Sequence, residues 1–282
     1  VFEQNRFYYI LYMKILITGG NGNIAKIIKN YLSDKYLIIT KTRDELNILN
    51  YNELKEYLNL NSFDILIHTA IIGGRRGKEE DYSCVYNNLL MFENLMKFND
   101  KFKLIFNLDS AAIYDRSIDI MNRSENELYS IPTDFYGFSK YIIYQRTLLY
   151  DNIYNFRIFN LFHINEESNR FIKSCFFSKN NNKKVTVFED KYFDFFYEKD
   201  FIKVLEYYIE SKEKLEKTIN LCYDKKYKLS EVANLIIKNK DNIIIENYYS
   251  NNNYCGNNNL LKKLNIDLFT LESSLVDFEK RL

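Results

Sequence analysis

Tryptophan is absent from these 282 residues, proline occurs once and histidine only twice. With His68 and His163 alone, a histidine-based metal centre lacks ligands, and no metal site is expected. The four cysteines, Cys84, Cys175, Cys222 and Cys255, are far apart, with no C-x-x-C pair. That excludes the usual zinc and dithiol spacings and suits reduced thiols in a cytoplasmic protein. No apolar run reaches membrane-spanning length, so no membrane partner is expected. Charge of neither sign dominates: 39 basic residues face 38 acidic ones, for a net charge of +1. The balance argues against nucleic acid as a partner and against an acidic disordered tail. Residues 1–12 precede Met13 and include the apolar Phe7–Tyr12, but no small-residue cleavage site follows. They read as an N-terminal extension, not a signal peptide.

What is present is a chain 46% hydrophobic, enough for one large domain or a main domain with a smaller appendage. The stretch Met13-Lys14-Ile15-Leu16-Ile17-Thr18-Gly19-Gly20-Asn21-Gly22-Asn23-Ile24-Ala25 organises it. The apolar run Lys14–Thr18 predicts a strand covered on both faces. A tight turn and a helix opening near Asn23 follow. In the Gly19-x-x-Gly22-x-x-Ala25 spacing, Gly19 permits the sharp turn, Gly22 lets a pyrophosphate approach the backbone, and Ala25 keeps the helix close to its strand. The helix N-terminus then offers N–H groups and a positive dipole end to phosphate.

Strand and helix patterns alternate from there. Strands are predicted at Tyr36–Thr40, Phe63–Ala70, Phe102–Leu108 and Tyr154–Phe159, with helices at Ile24–Ser33, Tyr51–Leu60, Asp81–Lys97 and Phe135–Asp151. After the second strand come Lys41, Arg43, Asp44 and Glu45. Basic residues at that place accommodate a 2′-phosphate, whereas an acid would take a ribose 2′-OH, so the stretch favours NADP(H), with NAD(H) as the alternative. A solvated charged turn is the plain reading of the same residues. After the third strand, Gly73-Gly74-Arg75-Arg76-Gly77 lies where ligands bind in such sheets. Arg75 and Arg76 are candidates for substrate phosphate, though surface arginines are commoner. His68 reads as a satisfied structural residue.

Asp115–Thr133 reads as a polar loop. Beyond it, Tyr136 and Lys140 stand four apart, one turn apart on one helix face. From about Ile164 the alternation loosens. Strands are expected at Lys183–Phe188, Thr218–Cys222 and Ile243–Asn247, and helices at Asp200–Glu210 and Leu229–Lys238, with Ser230 near an N-cap. The asparagine-rich Ser250–Asn259 reads as a loop, and Leu260–Leu282 as short closing helices.

In order and spacing, the glycine turn, the Asp64–Ala70 strand, Ser110 and Tyr136-x-x-x-Lys140 resemble the extended short-chain dehydrogenase/reductase family, in its nucleotide-sugar epimerase, dehydratase and reductase branch. Phe193-Asp194-Phe195-x-Tyr197-x-x-Asp200 is similar to that family's Arg-Asp-Phe-x-Tyr-Val-x-Asp. The resemblance implies an α/β fold: a Rossmann-like doubly wound parallel sheet at 13–163 binding NADP(H), and a smaller C-terminal α/β substrate-binding lobe at 164–282, with chain interleaving between them. It implies catalysis by Ser110, Tyr136 and Lys140. Cofactor contacts would come from Thr18, Gly19, Asn21, Gly22, Asn23, Ile24, Arg43, Asn47, Thr69, Ala70, Tyr136 and Lys140. The nucleotide-sugar substrate would meet Ile72, Gly73, Ala111, Ala112, Asn160 and Arg170. It implies a homodimer through the helices at 81–97 and 135–151.

Departures narrow the expected reaction. The 4,6-dehydratases of the family carry an Asp-Glu pair after the serine, and here Ala111 and Ala112 stand there. The fucose-synthase type resembles this chain through Arg43-Asp44-Glu45-Leu46-Asn47 and Ile72-Gly73-Gly74, yet it epimerises with a Cys where Ala112 stands and with a later His. No histidine follows His163, which itself occupies a usual Gly position. Phe193 replaces an Arg that often meets substrate phosphate. Simple C4 reduction of a 4-keto-deoxy sugar remains, as in the dideoxysugar C4 reductases. The alternatives are a 4-epimerase holding NAD tightly and a non-catalytic cofactor-binding subunit.

Overall fold

The computed structural model describes residues 13–74, 79–248 and 252–282. The extension at 1–12, Arg75, Arg76 and the start of the asparagine-rich stretch lie outside them. The first half of the chain runs β1 (Lys14–Thr18), α1 (Asn23–Leu32), β2 (Leu37–Lys41), α2 (Tyr51–Leu60), β3 (Ile65–His68), α3 (Tyr82–Met96) and β4 (Leu104–Ser110). It continues through β5 (Ile120–Arg123), α4 (Phe135–Thr147), β6 (Ile153–Ile158), β7 (Leu161–Phe162), α5 (Phe171–Asn180), β8 (Val185–Val187) and β9 (Phe196–Tyr197). Then follow α6 (Glu198–Glu210), β10 (Thr218–Leu221), α7 (Leu229–Ile237), β11 (Ile243–Ile245), β12 (Tyr254–Gly256), α8 (Asn259–Lys263) and α9 (Leu271–Glu279).

Six strands form the main sheet in the order β10-β6-β4-β3-β1-β2. β1 pairs in parallel with β2 on one side and β3 on the other, and β3 pairs in parallel with β4. The chain therefore reverses its direction of travel across the sheet at β1. In open α/β sheets, such a reversal opens a crevice at the carboxyl ends of the strands. The fold is the Rossmann-like doubly wound sheet that the family resemblance implies.

The chain divides into two compact units. The first holds the described residues through Ile113, Ile131–Phe156 and Leu215–Thr218; the second holds Tyr114–Ser130, Arg157–Lys214 and Ile219–Leu282. In the first, Leu16, Leu66 and Ile105 of the sheet pack with Leu54, Phe92 and Leu95 of α2 and α3, all at most 1% exposed. Side chains at the caps answer the amides that open most of its helices: Asn50 for α2, Asp81 for α3, and Asp134, 2.7 Å from the Gly137 amide, for α4.

The second unit is rich in aromatic contacts. Phe162 stacks on Tyr197 at 5.0 Å and meets the edge of Phe278. The Phe193–Asp200 motif anchors this unit. The Asp194 carboxylate accepts from Lys226 Nζ and the Gly256 amide, each at 2.8 Å. The Tyr197 hydroxyl donates to Asp277, and Asp200 accepts from the Tyr223 hydroxyl and the Phe269 amide. Arg157 is wholly buried: its Nη1 donates to the Tyr114 hydroxyl at 2.7 Å and to the Glu125 carbonyl at 2.8 Å. The Glu125 carboxylate in turn accepts from the Asn220 amide at 2.8 Å.

Three readings of the sequence need correction. Asp115–Thr133 and Ser250–Asn259 are not wholly loop: they contribute β5 and β12, which pair in parallel. Neither has a strand-like apolar pattern, and each gains its conformation from the distant other. Helix α5 lies in the stretch after Ile164 where the alternation of patterns loosens and no helix is expected. Its buried Ile172, Cys175 and Phe176 follow helical spacing inside polar surroundings. Ser230 does lie near the start of α7, two residues after the cap Lys228, and Asp190 accepts from both its amide and its hydroxyl at 2.9 Å. All four cysteines are free and buried. Among the described residues no helix is long and apolar enough to cross a membrane, and no group of three or more potential metal ligands occurs.

Candidate active site

The glycine turn leaves β1 at the carboxyl edge of the sheet. Gly19 has φ +72°, and a Cβ there would lie 2.8 Å from the backbone of Ala70. Only glycine fits both that conformation and that approach. Gly22 donates to the Gly19 carbonyl at 2.8 Å and caps α1 without any side-chain hydrogen bond. The opening amides of α1 are thus not answered by a cap, unlike those of α2, α3 and α4. Asn21, Gly22 and Asn23 are exposed, Ile24 is half-buried, and Ala25 is completely buried. A turn of this build fits the pyrophosphate of a dinucleotide.

Thr18 is buried under the turn. Its hydroxyl lies 2.9 Å from His68 Nδ1, and the Thr69 hydroxyl donates to the Thr18 carbonyl at 2.6 Å. Burial, with the nearby Lys140 charge, pushes the His68 imidazole down to about 3, so it is neutral. His68 is a satisfied structural residue. Past β2, Arg43 and Asp44 are exposed. The Glu45 carboxylate accepts the Thr42 amide at 2.8 Å, which holds it below the usual carboxylate range and commits it to the turn. Asn47 is likewise engaged locally, accepting from the Leu49 amide at 3.2 Å.

Ser110 ends β4, and its Oγ accepts from the Ala112 amide at 3.2 Å. Lys140, on α4, is buried, and its Nζ donates to the carbonyl of Leu108 in β4 at 2.5 Å. Burial lowers this ammonium to about 8, opposed by Asp109, which favours the charged form. The folded state therefore binds that proton less tightly than the unfolded chain. The lysine opposes folding below about pH 8, and the opposition relaxes between there and the usual lysine range. Lys140 Nζ stands 6.0 Å from the centre of the Tyr136 ring. A Cβ on Gly137, the next residue, would meet the Ala112 carbonyl at 2.8 Å, so the first turn of α4 packs directly on the segment after Ser110. Ser110 thus ends the strand to which Lys140 is bonded, and the turn of α4 that carries Tyr136 packs on the segment just after it.

Two residues the sequence reading missed tie this region to the loop after β3. Glu80 accepts the Gly74 amide at 2.5 Å and the Tyr136 amide at 3.1 Å. Asn88, wholly buried on α3, exchanges hydrogen bonds with the Ile72 backbone at 2.8 and 2.9 Å and donates to Ser139 Oγ at 3.1 Å. An asparagine within the apolar stripe of α3 was the available signal. Ala111 and Ala112 are buried, while Ile72 and Gly73 are half-buried.

In the second unit, Asn160 is half-buried and its carbonyl accepts from the Phe196 amide at 2.8 Å. Arg170 Nε stands 4.0 Å from the Glu166 carboxylate. Burial raises Glu166 to about 7 and lowers His163 to about 4.

A Rossmann-like parallel sheet with a glycine turn leaving β1 and Lys140 bonded to β4 is the arrangement to set beside known proteins. Residues 15–222 match the NAD dependent epimerase/dehydratase family, and the chain belongs to that family. Over 113 residues it is 33% identical to GDP-L-colitose synthase of Yersinia pseudotuberculosis, an alignment covering 38% of this chain and 36% of that one. The chain thus spans about a third of that relative's length. Its fold matches dTDP-4-dehydrorhamnose reductase from Bacillus anthracis in complex with NADP (TM-score 0.79, 17% identity, 96% of this chain and 99% of that one). It also matches ADP-L-glycero-D-manno-heptose-6-epimerase of Helicobacter pylori (TM-score 0.80, 18% identity, 96% of each chain).

Proposed function

We propose that this chain is an NADP(H)-dependent reductase of the C4 ketone in a nucleotide-linked 4-keto-deoxy sugar (GDP-, CDP- or dTDP-linked), serving bacterial surface-polysaccharide synthesis in the cytoplasm. The observation that supports it is the buried Lys140 bonded to β4 on the helix that carries Tyr136, beside Ser110 and the buried alanines at 111 and 112. When bound, the nicotinamide supplies a hydride. The residues that would hold it are those of the glycine turn, with Thr69, Ala70, Tyr136 and Lys140. The exposed Arg43 favours a 2′-phosphate, and the neighbouring Glu45 is occupied by its turn.

Each side chain has a task. Tyr136 gives its phenolic proton to the carbonyl oxygen. A free phenol ionises near pH 10, and the Lys140 ammonium eases that release by favouring the phenolate. Ser110 Oγ already accepts the Ala112 amide, which leaves its own O–H to donate to the oxygen as negative charge develops there. Neither alanine can move a proton at a neighbouring carbon, so the reaction stops at reduction. Asn160 and Arg170 in the second unit are assigned to the nucleotide sugar, Arg170 serving where Phe193 replaces a base. The reading includes a homodimer through α3 and α4, supported by exposed Tyr82, Tyr86, Phe135, Leu148 and Leu149 on or beside them.

The test is a spectrophotometric assay supplying NADPH or NADH with GDP-, CDP- and dTDP-linked 4-keto sugars. NADPH consumption with at least one sugar is expected. Sugar interconversion without any net oxidation would replace the reductase with the 4-epimerase. The pH profile is a second expected outcome. Because the ammonium is at about 8, reduction should decline as pH rises through that value. A rate constant unchanged from pH 7 to pH 10 would remove Lys140 from the proton path.

A further inference from the structure

Glu80 precedes α3 and plays no part in the chemistry above, yet its carboxylate touches both the loop after β3 and the backbone of Tyr136 itself. One oxygen takes the Gly74 amide and the other the Tyr136 amide. Tyr136 occupies the first turn of α4, where amides have no intrahelical partner. Asp134 satisfies the Gly137 amide there, and Glu80 satisfies that of Tyr136.

The second contact concerns the ring. Gly74 has φ +74°, and a Cβ on it would fall 2.9 Å from Cε2 and Cζ of Tyr136. The backbone of Gly74 therefore lies directly against the phenol. Gly73, with φ +89°, is seated as closely: a Cβ would meet Cys84 Sγ at 2.8 Å and Glu80 Oε1 at 2.9 Å. One carboxylate thus fixes the tyrosine by its backbone from one side and holds the turn that confines its ring on the other.

We propose that Glu80 is the positioning residue for Tyr136, clamping the Gly73–Gly74 turn onto the phenol. This rests on Tyr136 being the proton donor assigned above. A misplacement of about 1 Å at a reacting group can lower a rate about 100-fold. Cys84 provides a readout independent of catalysis, because its thiol is 2% exposed beneath the turn and donates to the Ile72 carbonyl at 3.1 Å.

The experiment compares wild type, Glu80→Ala, Glu80→Gln and the exposed-site control Glu79→Ala, all shown to be folded by circular dichroism. Iodoacetamide labelling of Cys84 is followed by peptide mass spectrometry, alongside kcat and the dissociation constant for NADPH. In Glu80→Ala, labelling should accelerate about tenfold or more and kcat should fall about 10- to 100-fold, with NADPH affinity within about threefold. Glu80→Gln, keeping one acceptor oxygen, should lie between, and Glu79→Ala should match wild type. Wild-type labelling in Glu80→Ala, or faster labelling with unchanged kcat, overturns the clamp. A wild-type protein inactive on every 4-keto sugar sinks the reductase reading instead, and faster labelling would still show that Glu80 holds the turn.

Discussion

Tyr136→Phe should lower turnover by about 10²- to 10⁴-fold, the range that a positioned proton donor contributes, while NADPH still binds. The substitution removes one oxygen and keeps the ring that Gly74 packs against. The backbone bond from the Tyr136 amide to Glu80 is also untouched. The fold and the glycine turn should therefore persist, and the loss should appear in kcat, not in cofactor affinity. Single-turnover mixing of sugar with NADPH-loaded enzyme, beside a fluorescence titration of NADPH, separates the two. Residual turnover near wild type would show that another group delivers the proton, and the role of Tyr136 would have to be abandoned.

Arg157→Leu should be the most damaging single change to stability outside the hydrophobic core. The side chain is completely buried, and it serves the Tyr114 hydroxyl and the Glu125 carbonyl at once. Each buried partner left without its bond costs about 1–3 kcal/mol, and two are left here, so the loss should be about 2–6 kcal/mol. Against total stabilities of about 5–15 kcal/mol, that is a large fraction. A comparison within the molecule sharpens the expectation. Arg146 forms a two-point pair with Glu93, but both side chains are about 40% exposed. Arg146→Leu should cost about 1 kcal/mol or less. Urea denaturation of both variants gives the ranking directly. Equal midpoints would mean that the Arg157 network contributes nothing beyond filling space.

The main sheet was legible because its strands are continuous apolar runs and its helices repeat at helical spacing; β1, α2 and β3 fall where those patterns put them. The glycine turn was legible because a backbone with positive φ and a close approach leaves glycine as the sole solution at position 19. What the sequence concealed was long-range. Nothing local in Ile120–Arg123 or Tyr254–Gly256 marks a strand, since each is a strand only by virtue of the other. Glu80 was hidden for a related reason: its two bonds go to amides 6 and 56 residues away. The Phe193–Asp200 motif could be recognised, but not its work, which is to fasten three separate later stretches of the second unit.

The β5–β12 pairing also dictates an order of events during synthesis. Residues 120–123 leave the ribosome long before residues 254–256, and until the latter emerge β5 has no neighbour to pair with. Asp194 waits in the same way for the Gly256 amide, and Asp200 for that of Phe269. The second unit can therefore be completed only when the last stretch of the chain is available. Its folding is governed by the slow search characteristic of contacts distant along the chain, and a nascent chain halted before residue 254 would present an unfinished second unit to the cell's quality-control machinery.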